Sequence, residues 1–199
     1  MEFIHHSFRN AETILCNDNK YIYLWDEFRY TLSAIPESDI IDSFHSSTRK
    51  DKKSISDDIN SILDGKLTEL GWNRQSPIFN NPTYEKGTTW RLDFAKDEIS
   101  VEVAFNHQEA ISWNLIKPVL ASELNHVQKA IQTSAGIIVT ATDAMRIAGN
   151  FDGSVGTYEK FLNYLEPLRN MLTVPILLIG LEPPVTFKID STSKSVVML

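Results

Sequence analysis

Apolar and polar positions follow two rhythms along this chain, and each rhythm marks a kind of element. Met1 to Ile4 suits the opening of a strand, and Asn10 to Leu15 reads as a short helix after a turn. From Tyr21 to Ile35, Leu24, Phe28, Leu32 and Ile35 recur at helical spacing until Pro36 ends the pattern. Glu37 to Lys53 is polar and is assigned no element. Ser54 or Ser56 then caps a helix carrying Ile55, Ile59, Ile62, Leu63, Leu67 and Leu70, and Gly71 stops it. Asn73 to Thr89, with Pro77 and Pro82, reads as a loop.

The rhythm then shortens to two. Trp90, Leu92 and Phe94 alternate with Arg91 and Asp93. After the polar connection Lys96-Asp97-Glu98, Ile99, Val101, Val103 and Phe105 alternate with Ser100, Glu102, Ala104 and Asn106. Residues 89–106 therefore predict an antiparallel hairpin, with Asp93 and Glu102 on its non-core side. A helical series follows in Ile116, Val119, Leu120, Leu124, Val127 and Ile131, with Pro118 fitting the first turn or kinking it. Ala135 to Thr140 and Pro175 to Leu181 are continuous apolar runs suited to strands buried on both faces. Between them a Gly-rich loop, Asn150 to Gly156, leads into a helix with Tyr158, Phe161, Leu162 and Leu165 on one side. This order predicts an α/β fold, a mixed central sheet flanked by helices, as one domain over residues 1–199 with its last core strand at 174–181.

Composition agrees with that picture. With 199 residues, 42% hydrophobic and 10% aromatic, the chain can bury a core. No apolar run approaches the about 18 residues of a spanning helix, and the start of the chain lacks a signal-peptide pattern. The single Cys16 excludes an internal disulfide framework and a multi-cysteine zinc site. His5, His6, His45 and His126 have no zinc-like spacing. A cytoplasmic protein with no membrane partner is expected. The net charge of −7 argues, on its face, against nucleic acid. Net charge does not say where charges lie, however, and Thr48-Arg49-Lys50-Asp51-Lys52-Lys53 is one dense basic run. A charge-segregated acidic protein would bind random DNA weakly, with a modest salt slope.

Asp93 and Glu102 are the residues with chemistry. In a tight hairpin their carboxylates approach one another and repel, which raises a pKa. A divalent cation removes the conflict, and oxygen ligands of this kind suit Mg²⁺. By spacing alone two solvated strand residues fit better, since 26 acidic residues produce such pairs by chance.

The text around the pair adds to the spacing. An acid, a short gap and then Glu-x-(Lys/Glu/Gln) on adjacent strands is the layout of the PD-(D/E)xK nucleases. The stretch Leu92 to Asn106 resembles the BglII/BamHI group of type II restriction endonucleases. Met1-Glu2-Phe3-Ile4 with Asn10 to Leu15, Leu24-Trp25-Asp26-Glu27 leading to Pro36, and Val174 to Leu181 are similar to other parts of that group. The resemblance implies a restriction-endonuclease-like core and a homodimer that uses Mg²⁺ to cut double-stranded DNA at a short palindrome. A GATC core is expected from relatives. A cognate DNA methyltransferase would belong to the same system without direct contact. On this resemblance Asp93 and Glu102 are metal ligands, with the Val103 carbonyl as a third. Position 104 carries Glu, Gln or Lys in the family. Here it is Ala104, which neither binds metal nor positions water. The chain is therefore expected to bind DNA and cleave it poorly, losing about 3 kcal/mol or more of transition-state stabilisation. Ala104 would be either an engineered silencing or the mark of a natural, non-catalytic DNA-binding relative.

Candidate DNA-reading residues sit in three places. Asn106, His107 and Gln108 follow the active strand, where the resembled family reaches base edges; an Asn suits adenine, while His107 has local packing as its plainer role. Arg146, Asn150, Asp152, Gly153 and Ser154 lie in the second region. Arg146 suits guanine, Asp152 suits cytosine N4, and Gly153 and Gly156 allow close approach; a surface loop with an ion pair is the plainer reading. Arg49, Lys50, Lys52 and Lys53 form the third, as phosphate or minor-groove contacts or as a solvated loop. The helix from Ile116 to Ile131 is the candidate dimer interface. A small-molecule enzyme on the same scaffold would instead show no salt-sensitive duplex binding.

Overall fold

The computed structural model describes residues 1–49, 52–123 and 126–199. Six strands make one mixed sheet: β1 (Phe3–Phe8), β2 (Asn73–Pro77), β3 (Arg91–Lys96), β4 (Ile99–Val103), β5 (Ala135–Ala141) and β6 (Ile176–Leu181). Their spatial order is β1-β6-β5-β4-β3-β2. The central β4, β5 and β6 run parallel, while β1, β2 and β3 join antiparallel. As the apolar runs require, every residue of β5 and β6 is buried.

Alternation along the strands sends side chains into two separate cores. Phe94, Ile99, Val101, Ile137, Val139, Leu177 and Ile179 meet apolar residues of α1 (Ala11–Asn17), α2 (Ile22–Ser33), α3 (Glu37–Ser46) and α4 (Ser56–Glu69). Ala104, Ile138, Ile176 and Leu178 meet α6 (Ile111–Ser122) and α8 (Tyr158–Leu165) on the other side. A short α5 (Pro82–Glu85), capped by the Asn81 side chain, α7 (Asp143–Ala148) and a 3-10 turn at Gln108–Ala110 complete the helices of the described residues. Beyond the sheet, β7 (Phe187–Ile189) and β8 (Val196–Met198) form a small antiparallel pair. The Glu37 carboxylate anchors the approach to it, accepting from the Val185 and Thr186 backbone N–H groups at 2.6 and 2.9 Å. Among the described residues no helix is long and apolar enough to cross a membrane.

Four expectations change. Residues 37–46 are helical, because Ile40 and Phe44 bury one face at i, i+4 and Glu37 and Asp39 sit in a first turn that favours acids. Residues 73–77 are an edge strand rather than loop; one side pairs with β3 and the other meets solvent, so Asn73, Arg74 and Gln75 carry no apolar signal. The helix over Ile116 ends at Ser122, with Pro118 in its interior. Val127 and Ile131 pack into a third cluster from outside that helix, and Leu124 lies outside the described residues. Finally, the face of β4 opposite the first core is not open: Ser100 and Glu102 are 0% and 1% exposed, because α6 lies over it.

That close approach of α6 depends on Gly136. A Cβ there would stand 2.7 Å from the Pro118 Cβ and 2.9 Å from its Cγ. A helix cannot shift past a proline ring on a fully buried strand without opening the core. Gly136→Ala should therefore destabilise the fold by about 1–3 kcal/mol, read as a lowered midpoint in urea; an unchanged midpoint would show that α6 has room to move.

Candidate functional site

Three strands bring the two carboxylates together. The register that pairs Phe94 with Val101 continues toward Asp93 and Glu102, but there the ladder opens. Asp93 turns its Oδ2 to accept from the Val103 backbone N–H at 2.8 Å. From β2, Gln75 donates its Nε2 to Asp93 Oδ1 at 3.2 Å. Gln75 reaches it from a left-handed backbone, φ 47°, between the regular pairs Arg74–Phe94 and Ser76–Leu92. Asp93, Phe94 and Val103 line a cleft of about 260 Å³ with Gln75 and Arg74 of β2 and Asn60, Ser61 and Asp64 of α4. Arg74 is paired with Asp64 across it.

Glu102 is the buried member. Its Oε2 accepts from the Lys117 ammonium of α6 at 2.6 Å. Their side chains are 2% and 12% exposed. Its Oε1 is buried and has no hydrogen-bond partner. A buried carboxylate oxygen left without a donor is costly, and a divalent cation is one way to satisfy it. Hard carboxylate oxygens fit Mg²⁺, which keeps several waters and needs only one or two protein carboxylates beside a phosphate. The donor set at Asp93 and Glu102 therefore fits such an ion. Among the described residues, no group of three or more His, Cys, Asp or Glu gathers to hold a metal. Ala104 shares the second core with Ile111, Leu115 and Ile138 and is 1% exposed; its N–H donates to the Val139 carbonyl at 2.7 Å. Position 104 is thus an apolar packing position in this chain.

The two base-reading regions named from the sequence are brought together. Gln108 N–H donates to the Ser154 carbonyl at 2.7 Å, and Gly156 N–H to that of Asn106 at 3.0 Å. The His107 Nδ1 and the Ser154 Oγ lie 2.7 Å apart. Ser154 in turn donates its Oγ and its N–H to Asp152 Oδ1. Those bonds, with His107 and Lys53 nearby, hold the Asp152 carboxyl below its ordinary range. Phe105 and Phe151 meet edge to face beneath, 5.3 Å apart. Asn106, His107 and Gln108 are exposed, but the Asn106 Oδ1 already accepts from Asn114 Nδ2 of α6 at 3.0 Å, so one of the two groups that a contact with adenine would need is engaged.

The remaining candidates divide. Asn150 joins the third region to the second: its Nδ2 donates to the Lys53 carbonyl at 2.6 Å, and Ile55 N–H reaches the Gly149 carbonyl at 3.2 Å. Lys53 itself is exposed. Lys52 is a correction: its ammonium is buried on Asp58 and over the Phe44 ring, so it serves the fold. Arg49 pairs with Asp57. Lys50 lies outside the described residues. Arg146 has Asp143 at 3.8 Å, one helical turn away. Gly153 faces open space. Gly156 does not: a Cβ there would lie 2.9 Å from Ile111 Cγ1, so its small size serves packing against α6.

Sequence reasoning missed Lys117 and Gln75. Lys117 had a signal, as the only charged residue in the twelve-residue α6. Gln75 had none, because nothing in the sequence marks its left-handed backbone.

Burial, then the charge of Asp93, push the Glu102 carboxyl up to about 8 in the metal-free protein, against the pull of Lys117. A carboxyl raised on folding binds more protons in the folded state, so its ionisation costs stability. Its contribution should decline as pH rises from 4.5 to about 8 and stay level above that. Thermal melts of metal-free wild type and Glu102→Gln should therefore diverge through this window, the variant gaining on the wild type as pH rises. Parallel curves would contradict this.

A family model described as restriction endonuclease BglII/BglIII matches residues 3–181, the span from the first residue of β1 to the last of β6. Among solved structures, the chain is similar to restriction endonuclease BglII complexed with a DNA 16-mer, with a TM-score of 0.68, 22% identity, and 99% of this chain against 87% of that one. Free BglII is similar too, with a TM-score of 0.58, 22% identity, and 92% of this chain against 81% of that one. No curated protein matches the chain by sequence. The shared fold and a family match running through all six strands of the sheet lead to one conclusion: this chain belongs to the BglII/BglIII restriction endonuclease family.

Proposed function

We propose that the protein is a type II restriction endonuclease that binds double-stranded DNA sequence-specifically and hydrolyses a phosphodiester in each strand of a short palindrome with a GATC core. The observation that carries this reading is a buried Glu102 whose Oε1 lacks a partner and whose carboxyl feels the charge of Asp93, itself in the lining of an open cleft. Asp93, Glu102 and the Val103 carbonyl would hold Mg²⁺. That ion, when bound, supplies a Lewis acid for the phosphate oxygens and lowers the pKa of a bound water. Asp93 is steadied for this role by Gln75 and the Val103 N–H. Glu102 is held by Lys117. Water adds to phosphorus, the bond to O3′ breaks, and the products are a 3′-hydroxyl and a 5′-phosphate.

The joined segments 106–108 and 150–154, with Lys53 tied alongside, form the surface that would face the bases and backbone. Cutting both strands of a palindrome needs two such sites about a two-fold axis, hence a homodimer with one catalytic domain per protomer. The buried face of α6, including Ile111, Leu115, Pro118 and Ala121, is committed to its own protomer, so any dimer contact by this helix would use its outer face. The enzyme would act in the cytoplasm, where a cognate methyltransferase shields the host's own sites.

A second reading, a natural DNA-binding protein without catalysis, is favoured by one observation, the apolar packing of Ala104. Selection from a randomised duplex pool in Ca²⁺, followed by transfer to Mg²⁺, separates the readings. The expected result is a palindromic site that is cut in Mg²⁺, slowly if Ala104 alone decides the matter and readily if another group replaces what position 104 lacks, with a modest salt slope on random DNA. Asp93→Asn should still bind that site while cutting at least about a hundredfold more slowly. Binding without cutting under any condition would favour the second reading. Absence of salt-sensitive duplex binding would overturn both.

A further inference from the structure

Position 104 contributes only a methyl group, and its surroundings explain why a longer polar group is absent. It belongs to the apolar cluster that includes Ile111, Leu115 and Ile138 and is 1% exposed, so a carboxylate or an ammonium there would be buried. The same helix that supplies Ile111 and Leu115 also supplies a cation. Lys117 is two residues on from Leu115, and its Nζ stands 2.6 Å from Glu102 Oε2. An ammonium has three donors, and Glu102 takes one. The position of the chain segment is fixed on both sides: Gly136 admits Pro118 against β5, and Asn114 bonds to Asn106 one helical turn before Lys117. Lys117 is thus held against Glu102 by helix packing.

Resting on the nuclease reading above, we infer that Lys117 supplies from α6 the polar group that position 104 lacks, orienting the attacking water beside Glu102, so that this chain is a working nuclease. The water oxygen forms the new bond to phosphorus as the bond to O3′ breaks. The proton that water loses goes to solvent, and the departing O3′ takes one from solvent. One water is consumed per bond cut, and no oxidant or reductant is needed. Lys117 donates hydrogen bonds in this step and gives up no proton. A strand position and a helix position are equivalent for this purpose, provided each delivers a donor to the same side of the glutamate.

The competing role is a plug: an ammonium that merely neutralises Glu102 until a cation displaces it. The two roles predict opposite pairs of results for Lys117→Met. Terbium luminescence, with Tb³⁺ as the sole metal, reads metal affinity. Single-turnover cleavage of a selected duplex in Mg²⁺ reads chemistry, and anisotropy in Ca²⁺ reads DNA binding. If Lys117 orients water, Lys117→Met should bind Tb³⁺ as tightly as wild type or more tightly. It should bind DNA within about threefold of wild type and cut it at least about a hundredfold more slowly. Lys117→Arg, which keeps the charge and the donors, should recover at least about tenfold of that loss. Tighter Tb³⁺ binding with cleavage unchanged or faster would identify a plug and overturn the inference. Should Lys117→Met lose both metal binding and its melting transition, Lys117→Arg decides alone: a folded arginine variant that does not cut overturns the inference, and one that cuts supports it. A wild-type chain that selects a duplex site but cuts none of it overturns this inference and leaves DNA recognition standing. A chain that binds no duplex ends both.

Discussion

A carboxylate buried in a sheet covered on both faces has to be compensated, and much of the arrangement around β4 answers that requirement. Glu102 is 1% exposed, so bulk water solvates it little. One oxygen is met by Lys117; the other is buried without a hydrogen-bond partner, and the charge of Asp93 acts on the group. An ion pair in such a place gains little net stability, since taking two charges out of water costs about as much as their attraction returns. The pair is therefore weak evidence of stability. The sheet, α6 and the Gly136–Pro118 contact together hold a charged group where an isolated protein would avoid one.

Much of the fold was legible because burial and periodicity coincide in it. The two apolar strands β5 and β6 could be read as continuous runs, and the hairpin of β3 and β4 as alternation. Asp93 and Glu102 followed from that alternation together with the family resemblance. The elements that escaped are those with few buried residues. Helix α3 buries only Ile40 and Phe44, and β2 buries only Ser76 fully. The expectation of an open face behind Glu102 failed for a different reason: alternation tells which side a residue points to, while whether that side meets water depends on a helix arriving from elsewhere in the chain. Lys117 belongs to that second kind of information. Its contact with Glu102 spans 15 positions and depends on the crossing of α6 over the sheet.

The surface loops show how basic groups are disposed in a protein of net charge −7. Lys53 is brought beside the Asp152–Ser154–His107 chain by a single side-chain bond from Asn150. Lys52 and Arg49, from the same basic run, are turned to Asp58 and Asp57. Of the described members of the run, Lys52 is thus taken into the fold, while Arg49 and Lys53 stay at the surface. Groups fixed this way have already given up conformational entropy before any ligand arrives, which lowers the cost of docking.

The left-handed backbone of Gln75 carries its own consequence. A non-glycine residue in that region stores of order 1 kcal/mol or more of unfavourable energy. Here the reward is an amide delivered to Asp93. Glycine at this position would release the strain and lose the amide, so a more stable sheet and a better-held carboxylate pull in opposite directions. Selection for heat tolerance and selection for precise chemistry would therefore diverge at residue 75.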